Sequence, residues 1–238
     1  MQYQVEIDRL KNNLKELFLE NNLEILDVII DDFSILFTTE QDDRIYNIYW
    51  SFFIDKFRPK EINFSNVTYG SGVIFKQVNN ILNEIVVINT KTEDTISKYP
   101  NFKNNLDIFF VSDVPIVANS YLQEGNFISI MKLIIANIKE YHFPFFERVS
   151  SLQVVNDEII DKVPQMEIAN YIPGQYMNIK KLIIMKLCNN PKYEEFKDWL
   201  IEIYQKLSTE NPDKYAEKFK QVLKAIEYLD SGKYKESL

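Results

Sequence analysis

Residues 24–54 alternate between apolar and polar side chains, and little other than a sheet can use that pattern. Ile25, Asp27, Ile29 and Asp31 alternate with Leu26, Val28 and Ile30, and Phe33, Ile35 and Phe37 oppose Ser34, Leu36 and Thr38. Beyond the polar turn at Glu40, Gln41, Asp42 and Asp43, residues Tyr46, Ile48, Trp50, Phe52 and Ile54 share one face and Asn47 and Ser51 the other. Successive strand side chains point to opposite faces, so period two in aromatic and β-branched residues predicts an antiparallel meander. Ile62, Phe64, Val67 and Tyr69 predict a fourth strand. Gly70-Ser71-Gly72 is expected to end it, with Ser71 capping a helix that carries Ile74, Val78, Ile81, Leu82 and Ile85. A strand through Val73–Phe75 is the alternative.

Elsewhere the period is helical. Ile7, Leu10, Leu14, Leu17 and Phe18 form one stripe over residues 3–20. Phe127, Ile130, Ile134, Ile138 and Tyr141 keep helical spacing, while Ile128, Met131, Leu133 and Ile135 fill further faces. A helix apolar nearly all round is a buried one, so 127–141 is expected to be the central core helix. His142-Phe143-Pro144-Phe145-Phe146 is expected to break it, because proline lacks a backbone N–H. Ser150 or Ser151 then caps a helix that turns Leu152, Val155 and Ile159 inward and stops at Pro164. From Tyr176 the chain reads as helix. Asn190-Pro191 and Asn211-Pro212 each match a cap followed by proline in the first turn. The stripes Phe196, Leu200, Ile203, Leu207 and Tyr215, Phe219, Val222, Leu223, Ile226, Leu229 follow, with Gly232 as the stop. Polar residues 89–105 read as a loop, and Leu106–Val111 as a short strand ended at Val114-Pro115. The fold class expected is α+β: an N-terminal helix and antiparallel β-meander region in residues 1–124, followed by a helical C-terminal half, residues 125–238, packed as one unit with the first.

Charge and composition narrow the chemistry. A net charge of −8 gains nothing from phosphate backbones, which argues against nucleic acid and suits a basic protein partner. The single cysteine, Cys188, permits no internal disulfide and no thiolate metal cluster, and in an apolar helix it behaves as a small hydrophobe. The single histidine, His142, sits at a helix end, a common structural position, and histidine zinc sites need more ligands than it can supply. No run is long and apolar enough for a membrane span, and the opening MQYQVEIDRLKNN lacks the apolar core of a secretory leader. A cytoplasmic protein without a membrane partner is therefore expected.

Paired carboxylates are what remain for catalysis. Asp31-Asp32 and Asp42-Asp43 flank the second strand at opposite ends. Glu84 to Lys91 imitates a metal-nuclease motif, with Asn89 where a carboxylate is needed. A divalent-metal hydrolase or nuclease is the alternative these acids leave open; a solvated acidic turn is the plainer account. Gly70-Ser71-Gly72 is too short to cradle a phosphate. No catalytic residue, metal site or cofactor is assigned.

The segment Phe143-Pro144-Phe145-Phe146-Glu147-Arg148-Val149-Ser150-Ser151-Leu152 resembles a helix–break–helix segment of uncharacterised bacterial domain families, and the later run from Ile179 to Leu187 with Pro191-Lys192-Tyr193 is compatible with their layout. Some of these families occur in contexts similar to those of contact-dependent and polymorphic-toxin immunity proteins. The resemblance implies a protein-binding role and carries no catalytic residues.

Taken together these features predict a non-enzymatic interaction protein, an immunity- or antitoxin-like inhibitor of a basic, toxin-like partner. Glu40, Asp42 and Asp43 are the candidate steering charges, and Tyr49 and Trp50 the candidate anchors. Being adjacent on a strand, only one of those two rings can face outward. A scaffolding module is a further reading, in which Tyr193, Trp199, Tyr204, Tyr215 and Tyr228 supply a docking groove on the last two helices.

Overall fold

The computed structural model describes residues 4–20, 24–30, 34–54, 62–86, 121–122, 135–136, 138–172 and 176–237. The expected helix at 127–134, the loop at 89–105, the strand at 106–111 and Asp31-Asp32 lie outside them. The protein is α+β, and it divides into two compact units: Met1–Val73 with Phe109–Val149, and Ile74–Ile108 with Ser150–Leu238. No helix among the described residues is long and apolar enough to cross a membrane.

The first unit holds the sheet. Helix α1 (Gln4–Glu20) is followed by strands β1 (Glu24–Ile30), β2 (Ser34–Gln41), β3 (Arg44–Ile54) and β4 (Ile62–Phe75), with a short β5 (Tyr121–Leu122). Sheet order follows chain order, β1-β2-β3-β4-β5. β1 with β2, β2 with β3, and β4 with β5 are antiparallel. The β2–β3 hairpin closes at Gln41 opposite Arg44, leaving a two-residue turn of Asp42 and Asp43. Asp42 takes φ 56°, the left-handed conformation such tight turns demand and one that aspartate tolerates better than most side chains. Leu14, Leu17 and Phe18 are buried at helical spacing. Phe18 meets Phe143 edge-on at 5.3 Å, and Tyr46 stacks on Phe146 at 4.2 Å.

Two expectations change here. The break at 142–146 is a change of helix type: a π-helical turn (Ile138–His142) runs directly into α3 (Phe143–Arg148), with Pro144 in its first turn. The missing donor falls where the hydrogen-bond ladder changes from the π to the α spacing, and a proline or a π turn is where a helix departs from regular pairing. The strand also does not end at Gly70-Ser71-Gly72. β4 continues to Phe75, and α2 (Lys76–Ile85) starts without a side-chain cap. Gly72, Val73, Ile74 and Phe75 are all buried. A run buried at every position suits a strand covered on both faces, and Ile74 misleads because it also fits the helical stripe of Val78, Ile81, Leu82 and Ile85.

In the second unit Ser151 caps α4 (Leu152–Val155) by accepting from the Val154 N–H at 3.2 Å. A π-helical turn (Asn156–Ile160) continues it, closed by the Asp161 N–H on the Asn156 carbonyl at 2.9 Å. Three longer helices follow: α5 (Met177–Leu187), α6 (Tyr193–Glu210) and α7 (Pro212–Asp230). Every residue of α5 from Ile179 to Met185 is buried, so it is the helix the others pack around. α6 and α7 close over it with Leu200, Val222, Ala225 and Leu229 in the core. At the α2 C-terminus, Lys224 from α7 donates to the Glu84 carbonyl at 3.1 Å and the Ile85 carbonyl at 2.7 Å, satisfying acceptors the helix cannot satisfy itself.

The two Asn-Pro pairs differ. Asn211 caps α7 by accepting from the Lys214 N–H at 3.3 Å, with Pro212 in the first turn. Asn190 does not cap a helix directly, since α6 begins at Tyr193. It belongs instead to the end of α5. Asn189 takes φ 50°, its N–H bonds the Lys186 carbonyl at 3.2 Å, and the Asn190 N–H bonds the Met185 carbonyl at 2.9 Å. That double closure is a Schellman motif with asparagine in the place glycine usually takes.

Candidate functional site

The acidic hairpin tip is the site the sequence favours. Asp42 is exposed, and Glu40 and Asp43 are half-buried. The next residue changes their electrostatics. Arg44 is buried, lies 5.6 Å over the Tyr46 ring, and holds Asp42 at 3.3 Å and Asp43 at 3.5 Å. The tip therefore carries its own counter-ion. Thr38 and Thr39 are both buried. Neighbouring strand residues face opposite ways, so both faces of β2 are covered at Thr38 and Thr39. In the β2–β3 register Tyr49 lies opposite Leu36 and Trp50 opposite Ile35; their side chains lie outside the described residues.

The other reactive candidates are quiet. His142 is fully buried and burial pushes its pKa down to about 4, so it is neutral at pH 7. Burial, with Asp157 nearby, pushes the half-buried Cys188 thiol up to about 11, leaving little thiolate to act as nucleophile. Glu84 is exposed in the last turn of α2, while Asn89 and Lys91 lie outside the described residues. Among the described residues no three His, Cys, Asp or Glu side chains group as metal ligands.

A cleft of about 290 Å³ opens in the helical unit between α5, α6 and the end of the π turn. Its floor is built by Lys181 and Met185 of α5 and Phe196 of α6. Lys181 is only 7% exposed. Its Nζ donates to Gln165 Oε1 and lies 4.4 Å from the centre of the Phe196 ring. Gln165 donates on to Asn178 at 3.1 Å, and Asn178 to the Tyr204 hydroxyl at 3.5 Å. Burial lowers the Lys181 pKa, opposed by the field of Asp161 and assisted by that of Lys192.

The mouth is charged and aromatic. Trp199, 40% exposed, stacks on Phe196 at 5.5 Å. Asp161 accepts from Lys192 at 3.4 Å and from Asn190 Nδ2 at 3.2 Å, and Glu195 is exposed beside them. Asn190 fixes this wall, since its Nδ2 also donates to the buried Asn156 at 2.7 Å and its Oδ1 accepts from the Lys192 N–H at 2.8 Å.

Of the five aromatic rings expected to form a helical docking groove, Trp199 alone lines the cleft. Tyr193 is buried, with Lys186 4.4 Å and Lys197 5.6 Å from its ring centre and its hydroxyl on Asp230 at 3.1 Å. Asp230 also takes Lys186 at 3.0 Å and Lys197 at 3.1 Å, so this cluster ties α5, α6 and α7 together. Tyr204 ends the amide chain from Lys181, and Tyr215 packs under Lys214 and Lys218 at 5.1 and 5.5 Å. In the sequence Lys181 stands beside Lys180 as an isolated basic pair. The signal was there: on a helix its neighbours three and four residues on are Ile184 and Met185, an apolar face.

Comparison with family models, with curated proteins and with solved structures gave no significant match.

Proposed function

We propose that the protein is a non-enzymatic, cytoplasmic protein-recognition module, an immunity-like inhibitor that binds a basic partner and receives an apolar anchor of that partner in the α5–α6 cleft. One observation carries this reading: the half-exposed Trp199 stacked on Phe196 at the mouth of a cleft with a charged rim. Interfaces concentrate their energy in such places, a desolvated aromatic centre ringed by polar groups that exclude water. The cleft's polar side chains are engaged with one another, Lys181 with Gln165 and Asp161 with Lys192 and Asn190, which is the condition of a binding surface more than of a reaction centre. The exposed Asp42 at the hairpin tip supplies a steering charge, where a rim carboxylate changes association rate more than affinity.

The test is recovery of a stoichiometric partner from the native cell by the tagged full chain, compared with Trp199→Ala. A variant that melts like the parent and loses the partner supports the reading. Undiminished recovery by Trp199→Ala removes the cleft from recognition, and no stoichiometric partner for the parent chain removes the reading itself.

A further inference from the structure

We propose that the α5–α6 cleft is a binding site for a carboxylate carried on a short apolar body, a single ring or a branched aliphatic group. The proposal deepens the recognition reading by naming the chemistry of the anchor. It starts from Lys181. A cation removed from water is costly unless an opposite charge meets it. The Nζ of Lys181 instead has an amide oxygen, from Gln165, and the face of the Phe196 ring. Among the described residues no carboxylate lies within ion-pair distance of it. The carboxylate that opposes it from farther off, Asp161, is already shared between Lys192 and Asn190. The floor of the cleft thus offers a largely buried positive charge with donor capacity to spare, because an ammonium has three protons to give.

The rest of the lining selects what can carry the anion. Met185 and Ile160 are buried, and Phe196 and Trp199 form a stacked aromatic wall. A flat or branched apolar group can lie against that wall while Met185 adapts to its outline. The volume, about 290 Å³, is at the small end of ligand pockets, which suits one ring and not two. At the mouth Lys192 adds attraction for an anion, while Glu195 and Asp161 oppose a second negative charge, so a monocarboxylate is favoured over a dicarboxylate. The C-terminus of a chain ending in an apolar residue and a free small organic acid share this chemistry.

The experiment uses the full chain carrying Trp50→Phe, which leaves Trp199 as the single indole of the two in the sequence. Its emission is titrated with phenylacetate, with the isosteric neutral phenylacetamide, and with a pentapeptide ending in a free phenylalanine carboxylate. Saturable quenching by phenylacetate, at least about tenfold tighter than by phenylacetamide, is expected from exchanging a neutral for a charge-assisted hydrogen bond. Lys181→Met, which keeps the stem and removes the charge, should bring that ratio close to one. Binding by the peptide as well assigns the anchor to a chain terminus, and binding by phenylacetate alone assigns it to a free acid. Equal affinity for acid and amide overturns the proposal, as does the absence of saturation by any of the probes. Neither result touches partner recovery by Trp199→Ala, which decides the parent reading separately.

Discussion

The hairpin tip and the cleft use charge in opposite ways. At the tip, Asp42 and Asp43 stand in or near water beside a buried arginine that neutralises part of their field. In the cleft, Lys181 is held largely buried against a ring, with an amide for company. Coulomb energy between exposed groups is small and screened, while a charge withdrawn from water interacts strongly with whatever replaces the solvent. A cluster of acids that is conspicuous in sequence can therefore matter little, and one lysine inside an apolar run can matter much.

The largest effect tests whether the cleft stands on a rigid base. Leu200 is fully buried in α6, one residue beyond Trp199. Leu200→Ala should cost about 3 kcal/mol in chemical denaturation of the helical unit; a loss under about 1 kcal/mol would mean the site collapses around the change. The next asks whether the sheet unit has a dry titratable group of its own. His142 has a folded pKa near 4, below its ordinary value, so the unfolded chain takes up the proton first. Its contribution is fully present above about pH 6.5 and is lost as the pH falls toward 4, by up to about 3 kcal/mol. Denaturation at stepped pH should show that slope, and His142→Phe should flatten it.

Smaller effects separate the two asparagines and the two charge sites. Asn190→Ala strands the buried Asn156 and frees the cleft wall, and should cost about 2 kcal/mol. Asn211→Ala removes only a cap, for about 1 kcal/mol; equal losses would remove the distinction between them. Lys181→Met should leave stability within about 1 kcal/mol of the parent, because desolvation of the charge is relieved as its hydrogen bond is lost. Asp43→Asn should change it by less than about 0.5 kcal/mol, because Asp43 stands partly in water and Asp42 still pairs with Arg44. A larger loss from Asp43→Asn than from Lys181→Met would invert the comparison.

The α+β class was legible because period two and period 3.6 are written into residues 24–54 and 177–229 by which face must be buried. The junctions were harder. Ile74 satisfies both periods, and only the burial of Gly72 through Phe75 decides for strand. Pro144 looks like a breaker until the change of helix type beside it is known. Asn190-Pro191 has the same letters as Asn211-Pro212, but its role depends on Asn156, 34 positions away, and on a left-handed Asn189. The cleft was invisible for a related reason: Lys181, Trp199 and the Asp161–Gln165 connection come from three segments, and nothing local marks them as neighbours.

One contact has a consequence for how the chain is made. The end of α2 is closed by Lys224, which bonds a carbonyl 139 residues earlier in the chain. At roughly 5–20 residues per second, the ribosome delivers that lysine on the order of ten seconds after α2 has emerged. Throughout that interval α2 lacks this closure and, with ten residues, is too short to hold itself together. Helix α7 is then the one that makes an early helix permanent, so the helical unit should acquire protection from hydrogen exchange only after α7 has been made.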